Sequence, residues 1–75
     1  MMTKEIAVAD AVYKKIELVG TSSNSFSEAA AAAIAKAALT VKHMSWFEVV
    51  EQRGSITDGK ISQYQATVRI GFRVE

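Results

Sequence analysis

Toward its C-terminal end the chain reads YQATVRIGFRV, and the apolar side chains fall on every second residue. Tyr64, Ala66, Val68, Ile70, Phe72 and Val74 alternate with Gln63, Gln65, Thr67, Arg69, Gly71 and Arg73. Successive side chains of an extended strand point to opposite faces of a sheet, so this period of two writes one apolar and one polar face into a single strand. The spacing predicts a strand over 60–74 whose first set packs on something apolar while the second faces away. Asp58-Gly59 lies immediately before it. Asp-Gly is a strong hairpin signal, because the tightest two-residue turn needs positive φ at both central residues. A second strand is therefore expected on the far side of the turn, over 46–56.

What packs on the apolar face is written further upstream. Ser25 followed three residues later by Glu28 has the pattern of a capping box, in which each side chain satisfies an orphan amide of the other. An alanine-rich segment follows, and it predicts a helix from about Phe26 to about Lys42. Phe26, Ala30, Ala33, Ile34, Ala37, Ala38 and Val41 form its apolar stripe. Short alanine side chains let a helix axis lie close to a sheet. Before the helix, AVYKKIELV over 11–19 reads as a strand with Ile16 and Leu18 on one face, ended by Gly20. The order is strand, helix, strand, strand (β-α-β-β), an α+β unit in which one helix packs on a three-stranded sheet.

Such a unit is incomplete by itself. One helix covers one face of a sheet and leaves the other bare. A 75-residue chain buries only about 60% of its unfolded surface and needs a further source of stability. The chain has no cysteine and one histidine, which excludes disulfides and a thiolate zinc site. Oligomerisation is the remedy left. The net charge of +1, from nine basic and eight acidic residues, offers no field for nucleic acid or an anionic membrane. The apolar run at 29–35 is too short to span a bilayer, and MMTKEIAVAD lacks the apolar core of a signal peptide. A cytoplasmic location is the expectation.

Trp46, the sole tryptophan, is followed directly by Phe47. Adjacent strand residues cannot share a face. With Phe47 and Val49 assigned to the helix-facing core, Trp46, Glu48 and Val50 fall on the open face, together with Gln65 and Thr67. An exposed indole there is either an anchor in a subunit interface or a platform that stacks on a planar ligand. Gln65 carries a primary amide with a donor pair and an acceptor, which suits a uracil-like edge when a flat heterocycle is present. Arg53, Arg69 and Arg73 are expected on the same face, pairing with Glu17, Glu48 or Glu51 or offering one guanidinium to a phosphate. His43 reads as a cap or loop residue at the helix end. No Walker-type or dinucleotide fingerprint is present, and the Ser-x-x-Glu pattern is capping rather than catalysis.

YKKIELVGTS, the alanine-rich helix, SWFEVVEQRGSI and YQATVRIGFRVE occur in this order. Together they resemble the dodecin family, from about Tyr13 to Glu75. The resemblance implies a helix partly enwrapped by a three-stranded antiparallel sheet, assembled as a hollow homododecamer of cubic symmetry. It also implies a non-enzymatic role in flavin binding, storage and quenching of flavin photochemistry. Two flavins stack together at each two-fold axis between symmetry-related tryptophans. The family tryptophan falls on Trp46, and the glutamine that bonds the flavin's pyrimidine edge falls on Gln65, read here as an indole opposite a glutamine. The EQRGSI segment is similar to bacterial members, which implies FMN over riboflavin or FAD as ligand and Arg53 as the phosphate partner. Some bacterial members also bind coenzyme A. On this reading residues 11–75 are one domain and residues 1–10 an N-terminal extension.

Overall fold

The computed structural model describes residues 10–75. The expected N-terminal extension, apart from Asp10, lies outside them. The elements are β1 (Val12–Ser22), α1 (Phe26–Ala37), β2 (Met44–Thr57) and β3 (Lys60–Val74). They form an antiparallel sheet in the order β1-β3-β2, so the alternating strand is central and pairs on both edges. Asp58 and Gly59 both have positive φ, 53° and 75°, as the hairpin between β2 and β3 requires.

At the start of α1, Ser25 Oγ accepts the Glu28 amide at 3.1 Å. The return half of the capping box is replaced. Glu28 Oε1 instead accepts from Ser22 Oγ and Asn24 Nδ2, and Ser22 Oγ takes the Ser25 amide. The helix ends at Ala37, with Ala38 as its cap, rather than near Lys42. Leu39 N–H bonds Lys36 O and Thr40 N–H bonds Ala37 O, so the chain tightens into a turn before β-branched Thr40 and Val41 can extend the helix. Ala38 consequently lies exposed, outside the expected stripe, and Ala29 replaces it in the core.

Gly20 does not end β1. The strand continues to Ser22, and Gly20 is buried opposite Ala66. A Cβ at Gly20 would stand 1.9 Å from Ala29 O and 3.0 Å from the Ala33 Cβ, so this glycine marks the closest approach of helix to sheet. The core consists of Ala29, Ala30, Ala33 and Ala37 against Ala66, Val68 and Ile70, flanked by Ile16, Leu18, Ile34 and Met44.

The helix sits over β1 and β3. Phe47 and Val49, expected in the helix-facing core, do lie on the helix side, opposite Ile70 and Val68, but remain 49% and 46% exposed. Length explains part of this. Twelve helical residues span about 18 Å, whereas the 14- and 15-residue strands of the hairpin reach about 47–50 Å. The hairpin outruns α1, and Ile56 and Ile61 near its tip are 75% and 62% exposed.

Candidate functional site

Beta-bulges decide which side chains share the open face. Ser45 is an extra residue between the Met44–Phe72 and Trp46–Gly71 pairs, and Val50 is another between Val49–Val68 and Glu51–Thr67. Unbroken alternation from Trp46 would send Arg53 to the helix side. The bulge at Val50 resets the pleat, so that Arg53 comes opposite Gln65 on the open face while Gln52 turns toward the helix side opposite Ala66. The sequence carries no mark of either bulge.

Trp46 lies on the face away from the helix, as expected, and is 38% exposed. Its cross-strand neighbour is Gly71, not a glutamine. The six-membered ring of the indole covers Gly71, and Tyr13 of β1 flanks the ring system at a centroid distance of 5.1 Å and a tilt of 60°. Tyr13 and Gly71 were not singled out from the sequence as parts of the site. Gly71 had one available signal, a glycine in the middle of an otherwise well-formed strand, which often marks close approach of another group.

Gln65 and Arg53 form the second cluster. Arg53 Nε donates to Gln65 Oε1 at 2.7 Å, and Gln65 Nε2 donates to Gln63 Oε1 at 2.8 Å. A guanidinium can only donate, so it determines which end of the Gln65 amide is oxygen. The amide has two lone pairs and two N–H groups, and one of each is used. One acceptor and one donor remain for a partner. Arg53 retains both terminal nitrogens beyond its bond to Gln65.

These two clusters do not meet within one chain. Gly71 and Gln65 are six residues apart on β3, about 20 Å at the strand rise. Trp46 and Gln65 therefore do not face one point on the sheet of a single chain.

Between the clusters runs a ladder of charges. Arg69 Nε donates to Glu17 Oε1 at 2.9 Å, and Lys15 Nζ lies 3.1 Å from Glu48 Oε1. The hydrogen bond to Glu17 and then its charge raise the Arg69 pKa further, with Glu48 adding to the effect. Exposed pairs of this kind contribute little to stability but fix side-chain positions. His43 has a φ of 65° in the turn from α1 into β2, and its ring meets the Glu75 carboxylate. This agrees with a loop role. Among the described residues, no His, Cys, Asp and Glu cluster could hold a metal ion, and no helix is long and apolar enough to cross a membrane.

A family model described as Dodecin matches residues 12–75. A Thermus thermophilus protein named Dodecin is 48% identical over 64 residues, covering 85% of this chain and 93% of that protein. A crystal structure of a Thermus thermophilus protein superposes with a TM-score of 0.84 at 47% identity, over 88% of this chain and 97% of that one. The dodecin of Streptomyces coelicolor gives 0.86 at 36% identity, over 89% and 96% of the two chains. A Mycobacterium tuberculosis protein described as a calcium dodecin gives 0.75 at 34% identity, over 85% and 91%.

Proposed function

The chain belongs to the dodecin family, and from that premise we propose that it is a cytoplasmic, non-enzymatic flavin-binding protein that stores and sequesters flavin as a homododecamer. Flavin pairs occupy pockets at two-fold axes. Trp46 from each of two subunits supplies the outer stacking faces, Gln65 reads the pyrimidine edge, and Arg53 is the partner for the phosphate of FMN.

The observation that carries this reading is the pose of Trp46. An indole laid on the sheet backbone, with its ring partly exposed, offers a fixed π-surface to a flat heterocycle. Gln65 supports it in a second way. Its remaining donor and acceptor match an edge of alternating N–H and C=O groups, such as the pyrimidine side of an isoalloxazine. Gln65 and Gly71, the cross-strand partner of Trp46, lie about 20 Å apart along β3, which favours a site shared by subunits. Uncovered Phe47, Val49, Ile56 and Ile61 supply apolar surface for the contacts that such sharing needs.

The flavin would supply visible-light absorption and redox capacity. The protein's part is to hold an easily oxidised indole against the ring system, which favours quenching by electron transfer, and to keep water from the stacked faces. The groups in the two clusters, a stacking ring, an amide and a guanidinium, are suited to holding a ligand.

Light scattering and fluorescence titration test the proposal together. The expected result is a twelve-subunit particle that quenches FMN and riboflavin on binding. A monomer with a cooperative fold, or a particle that leaves both flavins fluorescent and free, overturns it. Coenzyme A bound in the absence of flavin binding would reassign the ligand.

A further inference from the structure

We propose that Gly71 is a positioning residue for the stacking face of Trp46, the floor that fixes the plane of the indole before any planar aromatic ligand arrives. Gly71 lies inside the central strand, paired with Lys15 on one side and Trp46 on the other. Glycine weakens a strand interior, and nothing in the backbone asks for it here. Among the described residues the glycine with positive φ is Gly59, so Gly71 has a conformation open to any residue. What the position requires is the absence of a side chain.

The geometry says why. A Cβ at Gly71 would stand 2.3 Å from Trp46 Cζ2, 2.4 Å from Cε2 and 2.5 Å from Cη2. A point meeting the ring edge-on would be much closer to one atom than to its two bonded neighbours. Near-equal distances place the Cβ position under the face of the six-membered ring. The indole thus lies face-down on the β3 backbone, which is why Gly71 is buried on the face of the sheet away from α1. Tyr13 stands beside it as a tilted wall. With one π-face on the backbone, the opposite face is left for a ligand, and the ordering cost of that ring is met on folding rather than on binding.

The affinity part of this inference rests on the flavin-binding reading; the spectroscopic part does not. Trp46 is the only tryptophan, so the indole bands in the near-ultraviolet circular dichroism of the ligand-free protein report its seat directly. In Gly71→Ala we expect these bands to fall by roughly half or more and FMN to bind roughly tenfold more weakly, as expected when a preorganised ring is released. The same substitution is then made beside Trp46→Ala, which leaves no ring above Gly71, with thermal melting as the common readout. There it should shift the melting temperature by no more than a few degrees, and clearly less than in the protein that keeps its tryptophan, because the steric conflict is gone.

Wild-type dichroism and affinity in Gly71→Ala overturn the proposal. Equal losses of stability with and without the Trp46→Ala change do so too, as does loss of assembly in both cases, because each makes the glycine a requirement of β3 itself. Loss of assembly confined to the protein that keeps its tryptophan supports the proposal. If the wild-type protein binds no FMN, the flavin reading fails while the dichroism of Gly71→Ala still decides whether Gly71 seats the indole.

Discussion

Gly20→Ala should be among the most damaging single-methyl changes in this chain. The added Cβ would lie 1.9 Å from Ala29 O and 2.9 Å from the carbonyl carbon, where ordinary contact begins at 3.4 Å. Relief therefore demands a displacement of about 1.5 Å, and the obstructing atoms are helix backbone that cannot rotate away. If α1 retreats, Ala29 and Ala33 lift from Ala66 and Val68, and a gap of about 0.5–1 Å already forfeits about a quarter to a half of each dispersion contact. Overpacking generally costs about 1–3 kcal/mol, and a backbone obstruction places this case at about 3 kcal/mol or above. For a domain of this size that lowers the melting temperature by about 12–24 °C. Thermal unfolding followed by far-ultraviolet circular dichroism measures it, at one fixed protein concentration because assembly is linked to stability. Gly59→Ala is the reference. Among the described residues nothing lies within 4 Å of its Cβ position, so the strain of positive φ, about 1–2 kcal/mol, should set the loss. A Gly20→Ala protein that melts within a few degrees of wild type would refute the close approach of helix and sheet.

Ser25→Ala removes the acceptor for the Glu28 amide and should destabilise the protein by about 0.5–2 kcal/mol, read from the same melts. Arg53→Ala should cost riboflavin a fraction of a kcal/mol, through the freed Gln65 amide, and FMN a further ~1–3 kcal/mol for the phosphate. Equal losses for the two flavins, measured by titration, would confine the arginine to orienting Gln65. Glu17→Gln leaves Arg69 exposed to solvent and should leave the melting temperature nearly unchanged, with any difference fading as salt is added.

Where one local signal and one packing demand coincide, the sequence was a sufficient guide. The apolar alternation of β3 and the Asp58-Gly59 turn placed the hairpin, because both the pleat and the turn depend on near neighbours. Ser25 marked the start of α1 for the same reason. Gly20 shows the opposite case. A glycine that ends a strand and one that admits a helix backbone look alike until the partner element is in place. The helix end was misjudged because alanine favours helix wherever it stands, so composition gives no stop before Thr40.

The candidate site divides the same way. Trp46 and Gln65 were assigned to the open face by alternation, and both lie there. Within one chain they are not apposed, since the register sets Trp46 against Gly71 and Gln65 against Arg53. Register depends on bulges at Ser45 and Val50, which no residue type announces. Arg53 reaches the open face only through the second of these. The half-exposed Phe47 and Val49 follow from the position of the helix over β1 and β3, a tertiary choice that the apolar pattern of β2 leaves open.

The central claim is that Trp46 is a ligand face rather than an interface anchor, and one paired measurement addresses it. Trp46→Ala is run on size-exclusion chromatography beside an FMN fluorescence titration. Loss of the stacking surface removes about 1–3 kcal/mol for each stacked ring, and a two-fold pocket loses two rings. The account predicts an oligomer of wild-type size that leaves FMN fluorescent. An intact oligomer that still quenches FMN contradicts it, and so does dissociation of the particle with ligand loss only as its consequence.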